Sequence, residues 1–385
     1  MKKTQMYSFS LITLEDLKEI KYFSAFPGNQ ASWLSDWYHT FKSKNDNDFG
    51  SQKKPYIITA YHGSKLVAIV PLLKLSRTYF KFFKLHFVEF LGQQWSGMGY
   101  DILKIRELED CFAQDLVKWI RRNISYHFLI FKYLPKTSQL KHRFKFYKYA
   151  GAPFINPLTY KNYKHFTQNV YTRKFREDLR RTLRRIKKDG FEMSVEQKLV
   201  NEESLKLIKE ISASKTSDGK GNLYESKVKA DFHKKMYKNM QSQVIFIKFN
   251  GKAVAYGTCI DFNDQRIGVD AAFDRSFRKY GVGIHCIDQV IRSCFRDKLT
   301  KLSFGVGMDA YKFQFTNSIE EFYMCFDFKY RLKSLLVLPY FHYRIKKMNQ
   351  SVSSILQKNK EQVKAKTENI TTSKNKMNFV QSIEM

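Results

Sequence analysis

The stretch from Arg266 to Gly307, RIGVDAAFDRSFRKYGVGIHCIDQVIRSCFRDKLTKLSFGVG, leaves a chain few ways to fold. Ile267, Val269, Ala271 and Phe273 recur at every second position, which predicts a strand with these side chains on one face. Asp274 to Lys279 is polar and charged and should leave the sheet. Gly281 and Gly283 follow. Ile284, Ile287, Val290, Ile291, Cys294 and Phe295 then recur at helical spacing and make one apolar stripe. Leu302 to Val306 reads as a second short strand, closed by Gly307. Strand, glycine loop, helix, strand is a βαβ unit. Glycines at a helix N-terminus let a ligand approach the backbone, where free N–H groups and the helix dipole favour an anion such as a pyrophosphate. The loop Arg278-Lys279-Tyr280-Gly281-Val282-Gly283 has neither the Gly-Lys-Ser/Thr of a Walker loop nor the spacing of a dinucleotide fingerprint. An anion site and a turn that merely needs glycine both fit it.

Upstream, the same order of elements occurs twice. Ala31 to Phe41 reads as a helix with Trp33, Trp37, Tyr38 and Phe41 on one face. IITAYHGSKLVAIV then reads as a hairpin, followed by a strand from Phe87 to Gly92, the pair Gly97 and Gly99, a helix from Cys111 to Ile124 and a strand from Phe128 to Tyr133. In the second half, a helix from Asp231 to Met240 precedes the hairpin IFIKFNGKAVAYG, whose Asn250-Gly251 between apolar runs is a strong hairpin signal. The glycine-loop unit comes next. This predicts a duplicated α/β (α+β) unit, with one copy over residues 1–150 and a second over 151–345. Leu14 to Phe23 reads as a further helix. Phe322 to Phe328 alternates like a strand. The apolar run Leu335 to Phe341 reads as core. From about residue 346 to 385 large apolar residues are sparse, and a disordered, polar tail is expected.

Between the copies lies RKFREDLRRTLRRIKK, residues 173–188, nine of whose sixteen residues are Lys or Arg. Phe175, Leu179, Leu183 and Ile186 form a helical stripe, and Asp189-Gly190 ends it. Such an amphipathic basic helix suits RNA, an anionic membrane surface, phosphates of a ligand, or simply solvent on the charged side. The whole chain carries 68 Lys and Arg against 36 Asp and Glu, a formal charge of +32, which attracts polyanions of any of these classes. The five cysteines are odd in number and contain no C-x-x-C pair, which points to no disulfide framework and no metal site. Cys259, Cys286 and Cys294 fall on apolar faces and read as core thiols. A cytoplasmic location fits, with attachment at the inner face of the membrane compatible with the charge. Neither a signal peptide nor a run long enough to span a bilayer is read in the sequence.

Three features resemble the GNAT superfamily of acyl-CoA-dependent acyltransferases, and within it the CelD-like branch linked to cellulose and exopolysaccharide biosynthesis. Arg278-x-x-Gly281-x-Gly283 is similar to the family's pyrophosphate loop. The arginine-rich helix with Arg180, Arg181, Arg184 and Arg185, closed by Asp189-Gly190, resembles the segment that opens the branch's main domain. The order Phe273-Asp274, glycine loop, Phe304-Gly305-x-Gly307-x-x-x-Tyr311-Lys312 resembles the branch's order of motifs. The likeness covers about residues 165 to 320, and the first half fits a tandem GNAT plan by architecture. It implies two mixed, mostly antiparallel sheets flanked by helices. It also implies acetyl-CoA or another acyl-CoA held on Arg278, Tyr280, Gly281, Val282 and Gly283, with N–H groups of Gly281, Val282 and Gly283 as donors and pantetheine between the strand ending at Phe273 and the strand starting at Leu302. The first copy has Gln94 where a basic residue is wanted, so only the second copy is expected to bind the donor.

Acyl transfer to an amine needs a base, an oxyanion donor and a proton source for the thiolate. A backbone N–H around Val269 to Ala271 suits the oxyanion. Asp270 is the candidate base, and a surface carboxylate is its plainer reading. Asp309 and Tyr311 are candidates for the proton source, with Tyr311 as a packed aromatic the alternative. Lys312 suits a pair with Asp309 or an anionic substrate. His233 and His285 read as structural. Three functions compete: an N- or O-acyltransferase acting on a sugar or envelope precursor, a FemABX-like transferase that takes an aminoacyl group from tRNA, and a non-catalytic RNA- or membrane-binding scaffold.

Overall fold

The computed structural model describes residues 6–44, 49–80, 83–95, 99–214 and 222–381. Its elements in chain order are β1 (Tyr7–Ile12), α1 (Ala31–Phe41), β2 (Ser51–His62), β3 (Lys65–Tyr79), β4 (Phe83–Phe90), β5 (Leu103–Lys104), α2 (Phe112–Asn123), β6 (Phe128–Pro135), β7 (Tyr147–Ile155), α3 (Tyr163–Val170), α4 (Arg173–Lys188), β8 (Met193–Leu199), α5 (Glu202–Ala213), α6 (Lys227–Asn239), β9 (Gln243–Phe249), β10 (Lys252–Phe262), β11 (Gln265–Phe273), α7 (Val282–Arg296), β12 (Lys301–Ser303), β13 (Ser318–Phe328) and α8 (Leu332–Gln381). Asn250 and Gly251 both take positive φ, at 49° and 81°, and close the β9–β10 hairpin in the turn that matches strand twist. The β2–β3 hairpin forms as expected and is longer, because Pro71 sits within β3 opposite Ile57. The segment Leu14 to Phe23, expected to be a helix, makes only a single 3-10 turn at Asp16–Glu19 and otherwise runs irregularly.

The two expected sheets are joined. Among the described residues thirteen strands make one sheet in the order β1-β2-β3-β4-β6-β13-β7-β12-β11-β10-β9-β8, with β5 beside β3. The described pairings are antiparallel except β4 with β6 and β11 with β12, the two pairs whose crossovers carry α2 and α7. The duplication therefore holds, but each copy gives its last strand to the other. β7 follows the first copy and pairs with β12, and β13 follows the second copy and pairs with β6. β7 and β13 also pair with each other over Ser318↔Phe154 to Met324↔Tyr147 and so weld the halves. The expected boundary after residue 150 falls inside β7. A second weld lies off the sheet. Trp33 of α1 meets Phe232 of α6 edge-on at 5.0 Å, and Phe41 of α1 meets the same ring at 5.4 Å.

Two expectations for the C-terminus are corrected. Residues 346–381 continue α8 where a disordered tail was expected; 349–381 hold no Gly or Pro that would break a helix, and 382–385 lie outside the described residues. The apolar run Leu335 to Phe341 is core only in part. Val337 is buried and Phe341 packs tilted against Phe128 at 4.5 Å, whereas Leu335, Leu336 and Tyr340 face out. Beside this helix lies His127, whose Nδ1 accepts the backbone N–H of His86 at 3.0 Å. Burial, then the charges of His86, Arg331, Lys333 and Lys74, bring its pKa down to about 4. Its imidazole stays neutral in the fold while it protonates in the unfolded chain below about 6.5, so the unfolded state takes up the proton in that window and stability falls with pH. Between about pH 7 and about pH 5 the wild type is expected to lose roughly 1–2 kcal/mol more than His127→Asn, whose amide oxygen accepts the same N–H; urea denaturation at both pH values measures it.

Candidate functional site

The β11–β12 ladder is short: Gln265↔Lys301, Arg266↔Leu302 and Ile267↔Ser303. β11 runs on to Phe273, but the chain after Ser303 turns to β7 instead. Phe304 N–H donates to Pro153 O at 2.9 Å and Gly307 N–H to Gly151 O at 2.9 Å. The second strand expected over Leu302 to Val306 is thus cut short, and the sheet parts. Gly305 stands at the fork with φ 72°, where a Cβ would come within 3.0 Å of Gly268 O. Lys312 holds the departing loop, its buried Nζ donating to Gly307 O at 3.0 Å and standing 3.6 Å from Asp309.

A cavity of about 420 Å³ occupies the fork. One side is lined by Cys286, Ile287 and Val290 of α7. The other is lined by His233 of α6 and by Trp95 from the first half. Its β11 wall carries a bulge. Thr258 pairs with Asp270 and Cys259 with Gly268, so Val269 has no opposite residue on β10 and lies beyond the last β12 pair. The bulge reverses the side-chain alternation, which corrects the single face expected for Ile267, Val269, Ala271 and Phe273. Arg266 and Ala272 are the buried positions, and Ala271 is exposed. Arg266 is matched by Asp261 at 2.7 Å and Asp297 at 3.1 Å, a buried pairing that ties α7's end to the strands.

Asp270 lies on the cavity wall. Tyr256 donates its hydroxyl to Oδ2, and the Thr258 hydroxyl bonds both backbone groups of Asp270 at 3.1 Å. Thr258 in turn meets Tyr237 at 3.1 Å, and Tyr237 meets Tyr224 and His233 Nδ1, each at 3.2 Å. Burial and then the charge of Asp270 push the Tyr237 and Tyr256 phenols far above 10, so they remain donors. Sequence reasoning did not find this network. Its members lie on β10, β11, α6 and the turn before α6, and no local spacing marks them. Tyr311 stands at the lip, 42% exposed, and its phenol is pushed up to about 12 by burial, then by Asp309 and Asp270. Asp309 is exposed, on the solvent side of Lys312. His285 is buried, its Nε2 against the Thr182 hydroxyl at 2.8 Å, and burial lowers its pKa.

The glycine loop forms a 3-10 turn, Arg275–Tyr280, before α7. Gly281 takes φ 64° and caps the helix; its own N–H is spent on Arg278 O at 3.1 Å. The first helical bond is His285 N–H to Gly281 O, which leaves Val282, Gly283 and Ile284 as the N–H groups at the helix mouth without an intrahelical acceptor. Of the three N–H groups expected to be open, that of Gly281 is therefore engaged. Gly283 is needed for packing, since a Cβ would stand 2.7 Å from the Phe273 ring. Tyr280 turns its side chain into a core with Phe191 and Phe249 and donates to Asp189 at 2.7 Å. Arg278 is exposed. α4 lies alongside: Arg185 donates to Lys279 O at 3.0 Å, and Arg181, Arg184 and Lys188 line a shallow basic recess with Lys279. Of the expected apolar stripe on α4, Ile186 is buried and Leu183 is exposed.

In the first half, Gly97 lies outside the described residues. The equivalent gap between β4 and β6 is bridged by Gln93. Its Oε1 accepts from Phe90 N–H at 3.3 Å and Lys132 N–H at 3.1 Å, while Nε2 donates to Ile130 O at 3.1 Å.

Residues 173–313 match the model of the acetyltransferase (GNAT) domain family. No curated protein matches the chain by sequence. Among solved structures, FemX is similar over 86% of this chain and 99% of its own, with a TM-score of 0.54 and 11% identity. A conserved protein of unknown function from Bacteroides thetaiotaomicron is similar over 84% of this chain and 100% of its own, with a TM-score of 0.50 and 14% identity. At these identities the likeness is one of fold: a large mixed sheet flanked by helices. Among the described residues no group of three or more His, Cys, Asp or Glu is placed to hold a metal ion, and no helix is long and apolar enough to cross a membrane.

Gly281→Ala is expected to cost about 1 kcal/mol, from a left-handed backbone alone, because only Thr182 Cγ2 lies near the new Cβ, at 3.6 Å. Gly283→Val is expected to cost about 1–3 kcal/mol by forcing α7 off Phe273. Urea denaturation of both variants orders them.

Proposed function

We propose that the chain is an acyl-CoA-dependent N- or O-acyltransferase whose donor lies in the fork between β11 and β12. The observation that carries this is the parting of the two strands beside the open N-terminus of α7. A pyrophosphate would rest on the N–H groups of Val282, Gly283 and Ile284, with Arg278 and the arginines of α4 close by to balance its charge. Pantetheine would take the place of the missing backbone partner along the outer part of β11. Val269 N–H would face the thioester oxygen, where charge develops during attack. Asp270, held by Tyr256 and Thr258, would accept the proton of the incoming nucleophile. Tyr311, which keeps its proton, would return one to the departing thiolate; Asp309 would act on it only through charge. The acceptor would enter from the side of Trp95 and His233, and a sugar or cell-envelope precursor is the class we assign to it. The first half would bind no donor, since Gln93 fills its gap, and would serve as one wall of the acceptor side.

A second reading keeps the fold and changes the donor to an aminoacyl-tRNA. The likeness to FemX and the arginines of α4 favour it; the open helix mouth favours the nucleotide thioester. Titration calorimetry with acetyl-CoA and longer acyl-CoAs separates the two. Affinity in the micromolar range, weakened several-fold by Arg278→Ala and changing little between about 50 and 200 mM salt, is expected for the first. Absence of binding to every acyl-CoA, with tRNA affinity that falls by roughly 10³ or more over that salt range, would favour the second. With a competent acceptor, Asp270→Asn and Tyr311→Phe are each expected to lower kcat by about 10²–10⁴ with small changes in donor affinity; single-turnover release of free thiol reads the effect.

A further inference from the structure

The first turns of α8 are apolar on two sides. One side is packed: Ser334, Val337, Phe341 and Ile345 face the sheet, and Phe341 lies tilted among Tyr79, Phe87 and Phe128. The opposite side carries Leu332, Leu335, Leu336, Tyr340 and Tyr343. Leu332 is 75% exposed, Leu336 59% and Tyr343 61%. The end of β3 extends this face, because Phe80, 54% exposed, stands edge-on to Tyr340 at 5.6 Å. Leu332, Leu336 and Tyr343 keep more than half of their surface open, on successive turns of the outward face. Such contiguous patches mark contact surfaces.

The rim of the patch is basic. Arg331 and Lys333 flank Leu332, Arg344 lies over the Tyr340 ring at 5.9 Å, and Lys347 lies over Tyr343 at 6.0 Å. Lys74, Lys84, Arg331 and Lys333 stand near enough together to act jointly on His86. An apolar stripe with tyrosines at its margin and cations around it suits the boundary between lipid headgroups and acyl chains. The cations select an anionic leaflet. A second copy of this chain is a poor occupant, because both faces would bring the same cations into a molecule already at +32.

We propose that the exposed face of α8 over residues 332–343, with Phe80 beside it, docks the protein on an anionic phospholipid surface. α4 is not the docking element. It lies against the turn before the glycine loop, and its exposed arginines have only Leu183 as an apolar companion.

The full chain is to be sedimented with vesicles of phosphatidylcholine alone and of phosphatidylcholine mixed with phosphatidylglycerol. Binding is expected to the mixed vesicles and not to the neutral ones. Leu332→Ser with Leu336→Ser, both on the surface, is expected to weaken it about tenfold or more with an unchanged thermal melt. Arg331→Gln with Lys333→Gln is expected to weaken it several-fold, and Arg180→Gln with Arg184→Gln to leave it as in the wild type. The proposal is overturned if the wild type ignores anionic vesicles or binds neutral ones equally well. Full binding by the double serine variant, or loss with the α4 variant alone, overturns it too. So does a dimer in sedimentation velocity that the serine changes dissolve.

Discussion

Two backbone hydrogen bonds, from Phe304 to Pro153 and from Gly307 to Gly151, decide the shape of the site. A strand that has just paired with β11 is offered a choice of neighbours, and it stays with β7. Every later feature follows from that choice. β11 loses a partner after Ile267, the cavity opens in the space, and Cys286, Ile287 and Val290 of α7 line it. Gly305 is required at the fork because a side chain there would meet the Gly268 carbonyl. Lys312 is buried because three carbonyls and one carboxylate around the departing loop make burial of its charge tolerable.

The first half has the same topology and a different outcome. It too has a parallel pair joined through a helix, but a single amide, Gln93, bonds to both strands and fills the space between them. One side chain that satisfies three backbone groups closes what an unfilled fork leaves open. The asymmetry of a duplicated fold thus rests on whether a polar plug is present, and the first half contributes Trp95 to the cavity of the second.

Local chemistry was legible in the sequence, and long-range pairing was not. The bounds of α1 and α4, the Asn250-Gly251 turn and the βαβ unit around Gly281 were read correctly, because period, caps and turn residues act over a few positions. The exchange of β7 and β13 left no mark, since any apolar strand can pair with any free edge. The bulge at Val269 reverses a face that simple alternation assigns, and Arg266, ahead of the bulge, is in the core because Asp261, Asp297 and the Ser293 hydroxyl surround its guanidinium. Asp270, Tyr311 and Lys312 are singled out by position relative to the strands, and all three line one cavity. Tyr256, which bonds Asp270, and Tyr237 and Tyr224 behind Thr258 are not singled out, because they come from β10, α6 and the turn before α6. In α8 a polar composition does not prevent a helix, and an apolar run does not guarantee burial.

The exchanged last strands also set an order of events during synthesis. β6 ends at Pro135, and its neighbour β13 starts only at Ser318. At about 5–20 residues per second, the ribosome needs roughly 10–40 s to supply that neighbour. Throughout this interval the nascent first half exposes an unpaired strand edge lined with Phe128, Ile130 and Phe131. Such an edge is the kind that chaperones cover and other chains join. The feature that opens the cavity in the finished protein therefore makes the unfinished one dependent on a strand that begins only at Ser318.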